Sequence, residues 1–199
     1  MSDSITVQSF TGEGVAQYIP NVARLRIEVF REFPYLYAGS MEYEEKYLQT
    51  YINSPESVIV IAFDAGQVIG ASTAVPMRHE TEDFKRPFIE HGIDPESVFY
   101  LGESVLKQEY RGRGIGVRFF QEREAHAQRI GDFSWAAFCA VVRPENHPLR
   151  PFDYVPLDQF WNKRGYTRHP ELQTTLTWQD IDEPAQTPKP MVYWLKALK

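Results

Sequence analysis

Apolar and polar positions change rhythm several times along this chain, and each change marks an element. Residues 5–10, ITVQSF, alternate with a period of two, as a strand with one buried face does. Val15, Ile19, Val22, Leu25, Ile27, Val29 and Phe30 then approximate helical spacing over 14–31. Pro20 lacks an amide donor, so it interrupts that helix or starts it. The aromatic stretch Phe33-Pro34-Tyr35-Leu36-Tyr37 follows as a loop ending at Gly39, and Glu42–Tyr51 read as a helix that Asn53–Pro55 stop.

Residues 57–63, SVIVIAF, are apolar throughout and of strand length. Asp64-Ala65-Gly66 is a turn signal, and 67–75 return as a second strand, so the two predict a hairpin. Residues 76–95 form a long polar connection with a short helix over 82–90; connections of this length are often functional or mobile. A strand over 97–106 leads through a turn at 107–114 into a helix over 115–130. That helix carries Ile115, Phe119, Phe120, Ala127 and Ile130 on or near one face, an Arg118–Glu122 pair at i,i+4, and Gly131 as its cap. A buried-looking strand WAAFCAVV (135–142), a proline-rich loop (143–156), a short helix (157–164), an alternating strand (172–178) and a last strand (191–198) complete the order. Strand–helix–strand in the middle predicts a parallel crossover, and the flanking hairpins predict antiparallel pairing. The fold class expected is α/β: one mixed sheet with helices on its faces.

The 199 residues suit one domain over 1–199, with 43% hydrophobic and 14% aromatic residues to build a core. Aromatic content of this kind argues against disorder. The one cysteine, Cys139, forbids an intrachain disulfide and a cysteine zinc site, and in its strand it reads as a small core residue. Five histidines without paired spacing argue against a metal site. No apolar run approaches the ~18 residues of a membrane span, and MSDSITVQSF lacks the basic and apolar regions of a secretory leader, so the expectation is a cytoplasmic protein with no membrane partner. A net charge of −6 argues against a nucleic-acid partner.

Positive charge is nevertheless concentrated in one stretch, QEYRGRGIGVR at 108–118. Gly112, Gly114 and Gly116 permit positive φ and close approach of a ligand to the backbone. Amides in such a turn, with the free amides of a helix's first turn, make an anion site, here one suited to a phosphate or pyrophosphate. A Walker A loop requires Lys and then Ser or Thr after its last glycine, and this chain has neither. The dinucleotide fingerprint G-x-G-x-x-G, started at Gly112, places its third glycine on Val117 and finds no acidic residue at the end of the next strand.

The segment resembles the acyl-CoA motif of the GNAT acetyltransferase superfamily, Arg/Gln-x-x-Gly-x-Gly/Ala, with Arg111, Gly114 and Gly116 in its fixed places. LKQEYRGRGIG is similar to the family's V-x-P-E-Y-R-G-x-G-I-G, with Leu106 and Gln108 for Val and Pro. FWNKRGY at 160–166 and KPMVYWLK at 189–196 resemble its later helix ending and final strand, and the order of elements matches over roughly 5–198. The resemblance implies a mixed, mostly antiparallel sheet with a central parallel splay that holds acetyl-CoA. Ser104, Val105 and Leu106 would meet its pantetheine arm. The amides of Arg111, Gly112, Arg113, Gly114, Ile115, Gly116 and Val117 would hold its pyrophosphate, and Asn146 would lie near its thiol. It also implies direct transfer of the acetyl group to an amine, a small molecule first of all. Glu103 would then be the base, unless it is a structural carboxylate bound to an arginine or a loop amide. The family's usual proton donor, a late-helix Tyr, is Trp161 here, so Tyr154 or solvent would supply that proton. Tyr35 and Tyr37 would form a wall of the acceptor site or simply cover the core. A non-catalytic acyl-CoA-binding module is the alternative that Trp161 suggests, and a nucleotide-binding domain of another class is a third. An exposed C-terminal strand would allow a homodimer.

Overall fold

The computed structural model describes residues 5–199. The first four residues of MSDSITVQSF, the stretch without the features of a leader, lie outside the described residues. In chain order the elements are β1 (Thr6–Phe10), a 3-10 turn (Gly12–Tyr18), α1 (Ile19–Phe30), α2 (Met41–Asn53), β2 (Val58–Asp64), β3 (Gln67–Pro76), α3 (Glu82–Glu90), β4 (Val98–Leu106), α4 (Ile115–Ile130), β5 (Trp135–Val141), α5 (Asp158–Asn162), β6 (Thr167–Trp178) and β7 (Thr187–Ala197). Pro20 starts α1 rather than breaking it, because the first turn of a helix needs no amide donor there. Ser40 caps α2, its hydroxyl accepting from the Tyr43 amide at 3.4 Å.

The strands join one seven-stranded sheet in the order β1-β2-β3-β4-β5-β7-β6. Every neighbouring pair is antiparallel except β4–β5. Both faces are covered, which is why β2 reads as a continuous apolar run: Ile59, Ile61 and Phe63 enter one core, and Val58, Val60 and Ala62 the other. The first core packs under α1, α2 and α3, the second under α4 and α5.

Three sequence expectations change. Gly131 follows α4, but at φ −170° it is extended rather than left-handed. Any residue adopts that backbone; its constraint is instead the Phe133 ring, 2.9 Å from where a Cβ would stand. The last strand is interior, between β5 and β6, so the edges of the sheet are β1 and β6 and not the C-terminus. It also begins earlier than expected, through Pro188 and Pro190, which pair with β6; on the β5 side Pro190 needs only its carbonyl, which accepts from Val142 N at 2.9 Å.

The parallel pair is short. Val98–Tyr100 face Trp135–Ala137, and beyond that point the two strands part. A β-bulge accompanies the parting: on β3, Ser72 faces Ser104 and Ala74 faces Leu101, so Gly102 and Glu103 together occupy the place opposite Thr73. The extra residue reverses the facing of the residues after it. Tyr100 and Val105 both belong to the core under α1, although an unbroken strand would put them on opposite faces.

Candidate functional site

The parted strands open a cleft of about 1710 Å³, larger than a compact small-molecule pocket and suited to an extended ligand with a second one beside it. Its two ends are built differently.

At one end the chain leaves β4, makes its turn, and enters α4. Gly112 (φ 79°) and Gly114 (φ 82°) are left-handed, and no atom of the described residues lies within 4 Å of where their Cβ atoms would stand, so backbone conformation and not crowding demands glycine. Gly114 is the N-cap of α4 and supplies no capping side chain, which leaves the first-turn amides facing outward. The Cβ of a residue in place of Gly116 would stand 3.3 Å from the ring of Phe160 on α5. Arg111 braces the turn: its Nε donates to Leu106 O at 3.2 Å and a terminal nitrogen pairs with Glu32 at 2.9 Å. Arg113 donates to Glu109 O at 3.2 Å and lies 5.2 Å from the centre of the Tyr110 ring.

Of the residues expected at the cofactor, Ser104, Leu106, Arg111, Gly112, Gly114, Gly116 and Val117 line the cleft. Val105 and Ile115 instead pack into the two cores. Arg113 is exposed beside the turn, and Asn146 is exposed on the loop after β5; neither is among the lining residues.

The bulge lies at the middle of the cleft. It leaves carbonyls without a ladder partner, and the fully buried Arg123 of α4 supplies donors: Nη1 to Thr73 O at 3.2 Å and to Glu103 O at 3.1 Å, and Nη2 to Ser104 Oγ at 2.9 Å. Burial lowers its pKa to about 10, which still leaves it charged at neutral pH. Gly102 must be glycine here, since a Cβ would fall 2.3 Å from the Tyr51 hydroxyl.

The other end is made of side chains. Glu103, turned by the bulge toward α1, pairs with Arg26 Nη1 at 2.6 Å and accepts from the Tyr47 hydroxyl at 3.3 Å. Arg26 Nε donates to Glu44, which is fully buried on α2. Its guanidinium stands 4.5 Å from the centre of the Tyr47 ring. Burial alone would lower the Arg26 pKa, but Glu103, Tyr47 and Glu44 outweigh it and hold that pKa above the usual value. Tyr35 and Tyr37 both line the cleft. Tyr35 is half-buried with its hydroxyl on the Val141 backbone, and Tyr37 bonds Glu44; desolvation pushes both phenols up. Their loop is clamped by Arg143, which is bidentate to Asp180 at 2.6 and 2.9 Å and donates to Pro34 O and Tyr35 O.

Glu80, in the connection before α3, is the remaining buried carboxylate of the cleft wall. Desolvation and the charge of Glu103 raise its pKa to about 7. Cys139 lines the cleft too, but burial pushes its thiol up to about 12, and the Tyr100 hydroxyl lies 3.2 Å from the sulfur; it is a core residue and a poor nucleophile. Tyr154 lines the cleft with its ring 4.7 Å from that of Phe33, and burial raises its pKa. Trp161 packs edge-on to Phe138 and Trp194, each at 5.0 Å.

Arg26, Glu80, Arg123 and the Arg143–Asp180 pair escaped the sequence reading, and Glu44, which with Glu42 and Glu45 reads in sequence as a solvated helix face or an attraction for a cationic amine, is fully buried. A signal existed for three of them. Val22, Arg26 and Val29, or Glu44, Leu48 and Tyr51, or Phe119, Arg123 and Ala127, set a charge in the inward row of a helix, where only a partnered charge can stay. Glu80 had only its place in the long connection.

A parallel strand pair here parts beside an uncapped helix N-terminus, which leaves an open strand edge leading to free backbone amides. The chain belongs to the acetyltransferase (GNAT) family, whose model matches residues 23–152. It is similar in structure to an acetyltransferase of the GNAT family from Streptococcus pneumoniae (13% identity, 98% of this chain and 100% of that one, TM-score 0.60). It is also similar to the yncA protein of Salmonella typhimurium, solved with its cofactor acetyl-CoA (8% identity, 99% and 95%, TM-score 0.62). A third is the ribosomal-protein-alanine N-acetyltransferase from Brucella melitensis (13% identity, 96% and 99%, TM-score 0.60). At these identities the likeness is one of fold. No curated protein matches the chain in sequence.

Proposed function

We propose that this chain is an N-acetyltransferase that moves the acetyl group of acetyl-CoA directly to an amine. The observation that carries the reading is the unpaired edge of β4 from Leu101 to Leu106, roughly 20 Å of strand, running from the fork with β5 to the turn before α4. The backbone of Ser104 and Leu106 offers hydrogen bonds to a pantetheine arm laid along that edge. The α4 amides at Gly114, Gly116 and Val117 offer them to the pyrophosphate. Acetyl-CoA would then present its thioester at the fork, beside Glu103 and facing the Tyr35–Tyr37 wall.

In this reading Glu103 is an anchor rather than the base. Arg26 pairs with one of its oxygens and the Tyr47 hydroxyl donates to the other, which fixes the carboxylate in the cleft wall. Tyr154 keeps its proton at neutral pH and stands at the cleft, as a donor to the departing thiolate must. The Trp161 packing favours one second reading, an acyl-CoA-binding module without turnover, because that indole has no labile proton to give.

Calorimetry with acetyl-CoA, CoA and NAD, followed by a thiol-release assay over primary amines, tests both readings. Binding of the two CoA species with amine-dependent thiol release is expected. Binding without release supports the module, and NAD binding without CoA binding overturns both.

A further inference from the structure

Three carboxylates line the wall of the cleft under α1, α2 and α3, and they are not equivalent. Glu44 and Glu103 share Arg26. Among the described residues Glu80 has no ion pair. One oxygen of each of the three is buried without a hydrogen-bond partner among the described residues, but only for Glu80 does no cation stand against it; its carboxylate accepts one backbone bond, from Thr81, and Oε1 is left over. A buried carboxylate oxygen without a partner is unfavourable by several kcal/mol if charged, so such an oxygen on a cleft wall points to a ligand that supplies the missing donor. Beside it lie Phe84 and Tyr100, whose rings are 5.1 Å apart and which both line the cleft. An ammonium group meets what this corner lacks: N–H donors for the oxygen, and a cation to set against ring faces.

We propose that Glu80 receives the ammonium group of the acceptor and removes its proton, making Glu80 the catalytic base of the transfer. The proposal rests on the amine-acetyltransferase reading above. An ammonium has no lone pair, so one N–H proton passes first to Glu80 Oε1. The freed lone pair forms the N–C bond to the acetyl carbon while the C–S bond breaks. Tyr154 gives its proton to the departing thiolate and takes the nitrogen's surplus proton in its place, and Glu80 returns its own to solvent. The products are an amide, free CoA and one proton.

The groups around Glu80 set the pH at which it can act. Lys85 on α3, itself paired with Glu82 at 2.7 Å, favours the charged form. Glu103 on β4 opposes it. Tyr47 and Tyr51 on α2, Tyr100 on β4, Cys139 on β5 and Tyr193 on β7 also face it; burial keeps all of them neutral near pH 7. The balance places Glu80 at about 7, where a base is partly ionised and still basic enough to take a proton.

The test is kcat/KM against pH with two acceptors of different basicity, alanine methyl ester and putrescine, for the wild type, Glu80→Gln and Glu80→Asp. The wild type should show an acid limb near pH 7 at the same place for both amines. Glu80→Gln should lose that limb and at least 100-fold in kcat, with acetyl-CoA affinity by calorimetry within about twofold. Glu80→Asp should keep the limb and part of the rate. A Glu80→Gln enzyme with wild-type kcat and limb overturns the role of Glu80 alone, as does a limb that moves with the basicity of the amine. A wild type that binds acetyl-CoA but acetylates neither these nor other primary amines overturns the amine reading, and the role falls with it. Should Glu80→Gln not fold, the wild-type limb and Glu80→Asp decide.

Discussion

The two ends of the cleft differ in what they are made of. The end at α4 is backbone: left-handed glycines, an uncapped helix start, an unpaired strand edge. The end under α1, α2 and α3 is side chains drawn from segments far apart in sequence, held by buried charges. A backbone site is written in consecutive residues and tolerates change around it. A side-chain site is assembled only when the sheet is complete, and removal of one member leaves its partners buried and unsatisfied. The bulge of β4 joins the two ends, since it belongs to the unpaired edge and also turns Glu103 toward Arg26.

That contrast breaks most severely at Arg123. Arg123→Met strips donors from Thr73 O, Glu103 O and Ser104 Oγ together. Breaking a buried charged network by removing one partner typically loses about 3–5 kcal/mol, and a loss of that size is expected. Thermal melting should fall by roughly 6–15 °C in a chain of this length. An unchanged melting point would show that the bulge stands without its arginine.

Gly114→Val should act the other way, on the ligand more than on the fold. A β-branched residue at φ 82° is strained by about 1–3 kcal/mol, and the turn relieves the strain by rotating its amides away. Acetyl-CoA affinity should drop about 100-fold by calorimetry, with melting lowered by only a few degrees. Affinity within threefold of wild type would remove the pyrophosphate from this turn.

Glu80 sharpens the comparison through stability against pH. Its folded pKa is raised, so the native state holds a proton that the unfolded chain has lost between about 4.5 and 7. The stability that proton confers is full below about 4.5 and disappears as pH rises through about 7. Glu80→Gln carries no such dependence and should be more stable than wild type at pH 8, by about 2 kcal/mol in urea unfolding. A parallel pH profile for the two proteins would show that Glu80 is not the buried, unpaired acid described here.

The smallest effect belongs to Arg111. Its ion pair with Glu32 is half exposed, and pairs of that kind contribute about 0–1 kcal/mol. Arg111→Ala should change acetyl-CoA affinity no more than about fivefold if backbone amides hold the phosphates. A loss above 30-fold would assign the phosphates to the guanidinium.

The same contrast explains what was legible in the sequence. The helices at 82–90 and 115–130 and the turn between 107 and 114 appear where the residues predict them, because their signals are local: prolines, glycines and apolar spacing. Hence Ser104, Leu106 and Gly114, named by position in the sequence, do lie along the cleft. Asn146 was placed by analogy of order alone, and the loop carries it outside the cleft lining. Arg26, Glu44 and Glu103 meet only through the folding of α1 and α2 over the sheet, and a bulge that reverses the facing of Glu103 leaves no mark in strand periodicity. The interior place of β7 was equally hidden, since strand order is a property of the whole sheet.

Amide hydrogen exchange followed by NMR, with and without acetyl-CoA, tests the central claim most directly. The unpaired edge and the α4 start should take up the ligand, so exchange should slow within Leu101–Leu106 and at Gly112–Val117, and stay unchanged in β1 and β6. Tight binding of acetyl-CoA with no added protection in those two segments would contradict the account.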